Sequence, residues 1–210
     1  MIKDYSQHGE QTVILNYFEG CQGVVMDLGA NDGITFSNSR ALLELGWYGI
    51  LVEPCVKTFK ELQENCKLFS RVMLHNVGVS SYNGEADFYE SGELIGGDHS
   101  LVSSIKETET ERWKNKSKER DPVVEFNKTT IPVIDFATLL ERSGNPQFDF
   151  LTIDVEGMEL EILRQIDFSL VSMVCVEYNG KPELAEAYDA LISMPVIYKN
   201  RTNIIYAVNK

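Results

Sequence analysis

Short apolar runs alternate with segments of helical periodicity along most of the chain beyond residue 23. The apolar runs predict buried strands, and the segments between them carry apolar residues three or four positions apart, as amphipathic helices do. Continuously apolar strands that alternate with helices are typical of a mostly parallel sheet covered on both faces. The pattern predicts strands over residues 24–26, 48–52, 72–79, 148–153 and 171–176, and helices over 39–45, 56–68, 136–142, 159–166 and 182–192.

Two turns modify this α/β pattern. Asn83-Gly84 predicts a tight hairpin turn that leads from the strand at 72–79 into another over residues 85–89. Near the C-terminus, apolar runs at 196–198 and 204–208 flank a polar turn and predict an antiparallel hairpin at one edge of the sheet. We therefore expect a single doubly wound α/β domain over residues 1–210, with residues 1–22 as an N-terminal cap.

The segment of residues 106–128 departs from the alternation. It holds seven of the nineteen basic residues and six acidic ones, which leaves it at +1 and the rest of the chain at −14. Apart from Trp113 and Val123-Val124 it has little to bury. One interpretation is a solvated surface helix with a loop. The other is a mobile lid or substrate-binding insertion over residues 91–129 that recruits an anionic or sugar-like substrate.

Composition and charge narrow the function classes. The chain has 210 residues, 43% of them hydrophobic, and no apolar run reaches the roughly 18 residues of a membrane span. A net charge of −13 argues against nucleic acid or an anionic membrane surface as the main partner. The four cysteines show no metal-binding spacing and the N-terminus lacks a secretory signal, so we expect reduced thiols in a cytoplasmic protein.

The loops that follow the strands carry the candidate chemistry, because ligands of open α/β sheets bind at the carboxyl ends of the strands. The first loop, DLGANDG, lacks the GxGxxG spacing of dinucleotide sites, and Asp27 and Asp32 would repel phosphates. Glu53 ends the second strand, where it would accept hydrogen bonds from a ribose. A ribonucleoside with a positive centre and no phosphates describes S-adenosylmethionine. The alternative is a tight turn followed by a helix-capping acid.

Three blocks of the sequence resemble a known family. They are SQHGEQ (residues 6–11), DLGANDGITFSNSRALLELGWYGILVEP (27–54) and FDFLTIDVEGMELEIL (148–163), and they resemble the FkbM family of S-adenosylmethionine-dependent methyltransferases. The resemblance implies a class I methyltransferase fold with strand order 3-2-1-4-5-7-6. It also implies O-methylation, commonly of sugar hydroxyls in glycans or of small metabolites.

The resemblance further implies roles for individual residues around the cofactor. One group would line its methionine half: Asp27, Gly29, Asn31 and Gly33. Glu53 would hold the ribose with Pro54 beside it, and Asn76 and Val77 would border the adenine. Asp154 would lie near the methionine amine or the reacting centre.

An alcohol acceptor benefits from a base that removes its proton. The candidates are Asp154, Glu156, His99 and His8. Asp154 and Glu156 share a loop, where like charges would raise one pKa towards a base-competent value. For Glu156 the alternative is a first-turn helix acid, and for His99 a surface residue.

A metal ion is a further candidate ligand. Asp154, Glu177 and Asn179 follow adjacent strands and offer the oxygen ligands that Mg²⁺ prefers. The alternative is that Glu177 and Asn179 only contact substrate or end the strand.

Other functions remain open beside the methyltransferase. A non-catalytic nucleoside-binding module would not need Asp27, Glu53 and Asp154 together. An NAD-dependent oxidoreductase would need the missing second glycine and a less acidic first loop. An RNA methyltransferase would need a basic groove, which only residues 106–128 could provide.

Overall fold

The computed structural model describes residues 2–92, 101–118 and 125–209. Its strands are β1 (Val24–Leu28), β2 (Tyr48–Val52), β3 (Val72–His75), β4 (Gly78–Ser80), β5 (Gly84–Ser91), β6 (Phe126–Asp135), β7 (Phe150–Ile153), β8 (Met173–Glu177), β9 (Val196–Lys199) and β10 (Asn203–Ala207). Its helices are α1 (Glu10–Tyr17), α2 (Arg40–Glu44), α3 (Val56–Cys66), α4 (Glu107–Ser117), α5 (Phe136–Arg142), α6 (Glu159–Leu163) and α7 (Pro182–Ile192). Among these helices, none has both the length and the hydropathy of a membrane span.

Seven strands form the central sheet in the order β3-β2-β1-β7-β8-β10-β9. Counted along the chain within this sheet, the order is 3-2-1-4-5-7-6. All neighbours are parallel except β10, which runs antiparallel to both β8 and β9. The predicted doubly wound fold, its class I methyltransferase strand order and its antiparallel C-terminal hairpin are confirmed.

Apolar side chains cover both faces of this sheet. Adjacent residues of β1 show the division, since Val25 packs among α1, α2 and α3 whereas Met26 packs on the opposite face with α5, α6 and α7. Successive residues of a strand point to opposite faces, so a strand buried on both sides must be apolar throughout. This is why the parallel strands were readable as continuous apolar runs.

The prediction of one strand over residues 72–79 is wrong. β3 ends at His75, and the chain leaves the sheet at Asn76, whose amide group donates to the carbonyl oxygens of Glu53 (2.8 Å) and Pro54 (3.0 Å). The apolar pattern runs across this break because the following strand, β4, is also buried. β4 belongs to a second sheet, which has the order β4-β6-β5.

The predicted hairpin at Asn83-Gly84 is wrong in its pairing. β4 and β5 do not pair with each other, because β6 lies between them and Val133 is opposite both Gly78 and Gly84. Sequence patterning missed β6, whose first half is polar and largely exposed. Of residues 106–128, β6 includes only the last three, 126–128.

Part of the predicted insertion over residues 91–129 has a definite structure. α4 covers residues 107–117 and packs against the body of the protein through contacts described below. Residues 93–100 and 119–124 lie outside the described residues, and so does the candidate base His99.

Candidate active site at the carboxyl ends of the strands

A cavity of about 630 Å³ opens where β1, β2, β7 and β8 end. Its volume falls within the range of sites that enclose small ligands. Most of the residues predicted from the sequence line it: Asp27, Gly29, Asn31, Glu53, Pro54, Val77, Asp154, Glu156, Glu177 and Asn179. Gly33 and Asn76 are not part of the lining.

Gly29 allows the loops after β1 and β7 to touch. Its φ is +89°, and a Cβ built on it would lie 1.8 Å from the carbonyl oxygen of Asp154. Only glycine tolerates this approach. Gly33 has a different role, because its Cβ would meet the Leu62 side chain of α3 at 2.6 Å. Gly29 therefore fixes the two halves of the cavity against each other, while Gly33 lets α3 pack closely.

Glu53 is buried and held by backbone donors. Its carboxylate accepts hydrogen bonds from the N–H groups of Asn31 (3.0 Å) and Cys55 (2.8 Å), so it ties the first loop to the second. Burial raises the pKa of Glu53 to about 7; the two N–H donors oppose this shift, and the charges of Asp27 and Asp154 add to it. Each oxygen keeps a lone pair that is free to accept a ligand hydroxyl.

Asp27 is the last polar residue inside β1 and lies at the base of the cavity. The Ser39 hydroxyl donates to its carboxylate at 2.5 Å. Burial raises the pKa of Asp27 to about 6, and this hydrogen bond opposes the shift. An ionised Asp27 therefore favours a bound cation.

Three carboxylates form what we call the acidic trio: Asp154, Glu156 and Glu177. One oxygen of each lies within 4.8 Å of one oxygen of the other two. Glu156 and Glu177 are only 7% and 6% exposed, whereas Asp154 is reached by solvent through the cavity. The structure thus brings together two of the three residues predicted as metal ligands and adds Glu156. The third, Asn179, lines the same cavity.

The trio is hard to ionise completely. Burial, followed by the charge of Asp154, raises the pKa of Glu156 well above its usual range. The same two causes raise the pKa of Glu177. Asp154 is surrounded by protein on every side except the cavity, so reduced hydration, followed by the charge of Glu159, raises its pKa as well.

Helix α4 and the residues before it hold Glu156 in place. Trp113 Nε1 donates to Glu156 Oε2 (3.1 Å), and the Ser104 hydroxyl donates to the Glu156 carbonyl (2.6 Å). The backbone of Glu156 is left-handed, with φ +52°, which is uncommon for a residue other than glycine, asparagine or aspartate. Non-glycine residues held in this region cluster at functional sites.

Ion pairs attach α4 to the neighbouring elements. The Glu109 carboxylate lies between Arg112 of the same helix and Lys181 at the start of α7 (3.0 Å), and Lys106 pairs with Glu161 of α6 (2.7 Å). α4 is therefore attached to α6 and α7 and forms part of the cavity wall, and the prediction of a lid or substrate-binding insertion over residues 91–129 remains a prediction.

The N-terminal residues close another side of the cavity. His8 lines it and accepts a hydrogen bond from Arg201 Nε at 3.2 Å. The Glu10 carboxylate accepts from the side chains of Asn200 (2.7 Å) and Asn203 (2.8 Å), which joins α1 to the C-terminal hairpin. Of the described residues before β1, Gln7 and His8 line the cavity, and the N-terminal cap over residues 1–22 remains a prediction.

Sequence reasoning missed a further group of lining residues: Thr35, Phe36, Ser37, Asn38, Phe88, Leu101, Val102, Ser103, Ile105, Lys116 and Thr202. Most of them belong to irregular segments or to the second sheet, where no periodicity marked them. Asn38 is informative because its buried Oδ1 has no hydrogen-bond donor among the described residues.

Comparisons with known proteins add a family to this geometry. A family model described as "Methyltransferase FkbM domain" matches residues 27–199. A 2-O-methyltransferase, NoeI of Sinorhizobium fredii, is 26% identical over 153 residues. That match covers 71% of this chain and 60% of NoeI, so the chain spans about 60% of the length of this curated relative.

Solved structures of similar topology are methyltransferases of low sequence identity. The ribosomal protein L11 methylase of Lactobacillus delbrueckii subsp. bulgaricus is 13% identical with a TM-score of 0.49, over 95% of this chain and 78% of that one. The precorrin-6y C5,15-methyltransferase of Geobacter metallireducens is also 13% identical, with a TM-score of 0.47 over 100% and 93% of the two chains. The fold assignment above rests on the strand order and not on these scores.

Proposed function

The chain belongs to the FkbM methyltransferase family, and from this premise we propose that it transfers the methyl group of S-adenosylmethionine to a hydroxyl oxygen of a sugar or small polar acceptor. The observation that carries the proposal is the cavity, where Asp27, Glu53 and Asp154 meet at the ends of three adjacent parallel strands. O-methylation is supported by the relative NoeI, whose name specifies transfer to oxygen.

The cavity has the chemistry that this cofactor needs. Asp27, Gly29 and Asn31 would face its methionine half, Glu53 its ribose, and Pro54 with Val77 its adenine. Among the described residues no donor reaches Oδ1 of Asn38, so it is an acceptor to which an ammonium or hydroxyl group can donate. The carboxylate of Asp154 faces the same cavity and can accept likewise. The surplus of carboxylates also favours the positive sulfonium centre.

The chain's own contribution to methyl transfer is alignment and proton removal. A sulfonium supplies an activated methyl group, so holding the acceptor oxygen in line can provide much of the rate acceleration. A carboxylate then accepts the proton of the acceptor hydroxyl. We assign this role to Asp154 or Glu156, since a raised pKa makes the ionised form of each a stronger proton acceptor than an ordinary carboxylate.

The acceptor would lie on the side of the cavity formed by α4 and residues 101–105. This wall carries Trp113, Lys116, Val102 and Ile105, which combine aromatic, basic and apolar surface. The described residues do not form a basic groove of the kind that nucleic acids require, and the prediction against nucleic acid remains a prediction.

Calorimetric titration with S-adenosylmethionine, and separately with NAD, tests the proposal. The wild-type protein should bind S-adenosylmethionine alone, and Glu53→Ala should weaken binding roughly 10–100-fold because a charge-assisted hydrogen bond is lost. Glu186→Gln removes one exposed carboxylate of α7 and serves as the charge-matched control. Binding of NAD instead, or unchanged affinity in Glu53→Ala, would contradict the proposal.

A further inference from the structure

The carboxylates around the cavity differ in whether the fold supplies them with hydrogen-bond donors. Asp27 accepts a hydrogen bond from the Ser39 hydroxyl. Glu53 accepts from the N–H groups of Asn31 and Cys55. Glu159 accepts from the N–H groups of Val155 and Gly157. We call these three the donor-bound carboxylates. In the acidic trio, by contrast, the only donor that the described residues provide is Trp113, to Glu156.

Glu177 shows this deficiency most clearly. Its side chain is 94% buried and lines the cavity, yet no residue of the described ranges donates to its carboxylate or forms an ion pair with it. Arg112 is near enough to favour the ionised form but makes its ion pair with Glu109. Glu177 therefore faces the cavity as a carboxyl group whose oxygens the described residues leave open to a ligand.

The spacing of the trio suits a divalent cation. Ligands on opposite sides of an ion lie at twice the ion–oxygen distance, about 4.2 Å apart for Mg²⁺ and about 4.6–5.2 Å for Ca²⁺. The trio's closest oxygens lie within 4.8 Å of one another, so small side-chain rotations would bring all three onto one ion. One oxygen of Glu156 already accepts from Trp113, which leaves the other for the ion.

We propose that Asp154, Glu156 and Glu177 together bind a divalent cation of the Mg²⁺ or Mn²⁺ type at the acceptor side of the cavity. The proposal rests on the proposed function in one respect, since it places the ion beside the reacting centre. With the two oxygens of Glu156 engaged by Trp113 and the ion, the base would be Asp154, whose second oxygen remains to accept the hydroxyl proton. Three carboxylates and one such ion keep a net charge of −1, which still favours a sulfonium. Three of six coordination positions would remain for water and acceptor oxygens, and a bound ion lowers the pKa of a hydroxyl that it coordinates.

Titration of MnCl₂ into metal-free protein tests this site directly, with the free Mn²⁺ measured by electron paramagnetic resonance. The wild type and the control Glu186→Gln should each bind one Mn²⁺ per chain. Glu177→Gln should bind it at least tenfold more weakly. Thermal unfolding in metal-free buffer separates lost binding from lost structure, because Glu177→Gln keeps the size of the side chain and breaks no hydrogen bond within the described residues, so the midpoint should not fall.

Equal Mn²⁺ binding by the wild type and Glu177→Gln would overturn the inference, and so would a wild type that binds no Mn²⁺ below millimolar concentration. A parallel titration with S-adenosylmethionine in EDTA distinguishes the two proposals. If the protein binds S-adenosylmethionine but has no Mn²⁺ site, the methyltransferase proposal is supported and the proposed cation site is rejected. A Mn²⁺ site that depends on Glu177, in a protein that binds no cofactor, would support the ion and contradict the proposed cofactor.

Discussion

The donor-bound carboxylates and the acidic trio differ in whether the fold supplies their carboxylate oxygens with hydrogen-bond donors. Asp27, Glu53 and Glu159 are fixed by hydroxyl or backbone N–H donors, whereas Asp154 and Glu177 have no donor among the described residues. The first group joins loop to loop, so its charges are part of the architecture. The carboxylates of Asp154 and Glu177 are available to an ion or ligand that enters the cavity. On the proposals above, the first group holds the site together and the second takes part in binding and catalysis.

Substitution of a carboxylate of the acidic trio should have the largest effect, which is a lower turnover rate. Asp154→Asn keeps the size of the side chain but removes the base, and a positioned base contributes about 10²–10⁴-fold to the rate. The rate of S-adenosylhomocysteine formation, with an acceptor found by screening sugars, measures this loss. Circular dichroism should show an unchanged fold. A variant that turns over like the wild type would remove Asp154 from catalysis.

Replacement of a donor-bound carboxylate should instead lower the free energy of unfolding. Glu53→Ala leaves the buried N–H groups of Asn31 and Cys55 without an acceptor, which costs about 1–3 kcal/mol. Urea unfolding of Glu53→Ala and Glu177→Ala measures the difference. Glu177→Ala should cost less, since no donor loses its partner. Equal destabilisation by the two variants would contradict the distinction between donor-bound carboxylates and the acidic trio.

The pH dependence of stability should reflect both groups. Burial raises the pKa of Asp27 to about 6 and that of Glu53 to about 7, so between pH 5 and 7 the native chain holds protons that the unfolded chain has released. The free energy of unfolding should therefore fall as the pH rises, by on the order of 1–2 kcal/mol between pH 5.5 and 7.5. Half-buried His75, whose pKa is lowered by burial, opposes this trend as a single group.

Urea unfolding of the ligand-free protein at the two pH values measures this slope. Glu177→Gln should flatten it, because one of the groups that takes up a proton on folding is lost. Stability that increases between pH 5.5 and 7.5 would show that these carboxylates ionise as freely in the folded chain as in the unfolded one.

The smallest effect should come from the single donor of the trio. Trp113→Phe keeps an aromatic ring but loses the hydrogen bond to Glu156, worth about 0.5–1.5 kcal/mol. That bond favours the ionised carboxylate, so its loss should raise the pKa of Glu156 and move the acidic limb of the pH–rate profile to higher pH by roughly one unit or less. A lower rate with an unmoved profile would assign Trp113 to packing alone.

The sequence predicted the central sheet well because each of its parallel strands is buried on two faces. Asp27, Glu53 and Asp154 could be placed for the same reason, since the strand ends locate them. The second sheet escaped prediction because β6 is half exposed and because the chain turns away at Asn76 through side-chain hydrogen bonds that no periodicity reports. The lining from α4 and residues 101–105 depends on tertiary packing, so only Trp113 was noticed beforehand.

The departure of the chain from the central sheet after His75 has a consequence for protein engineering. The described segments between β3 and α5 lie, in chain order, between two strands of the central sheet, and residues 101–105 with α4 contribute the aromatic and basic wall of the cavity. On the proposed function, libraries that randomise Val102, Ile105 and Lys116 should sample new acceptors while keeping the Trp113–Glu156 hydrogen bond and the residues at the strand ends. On this proposal, the choice of acceptor can be changed separately from the residues that would hold the cofactor.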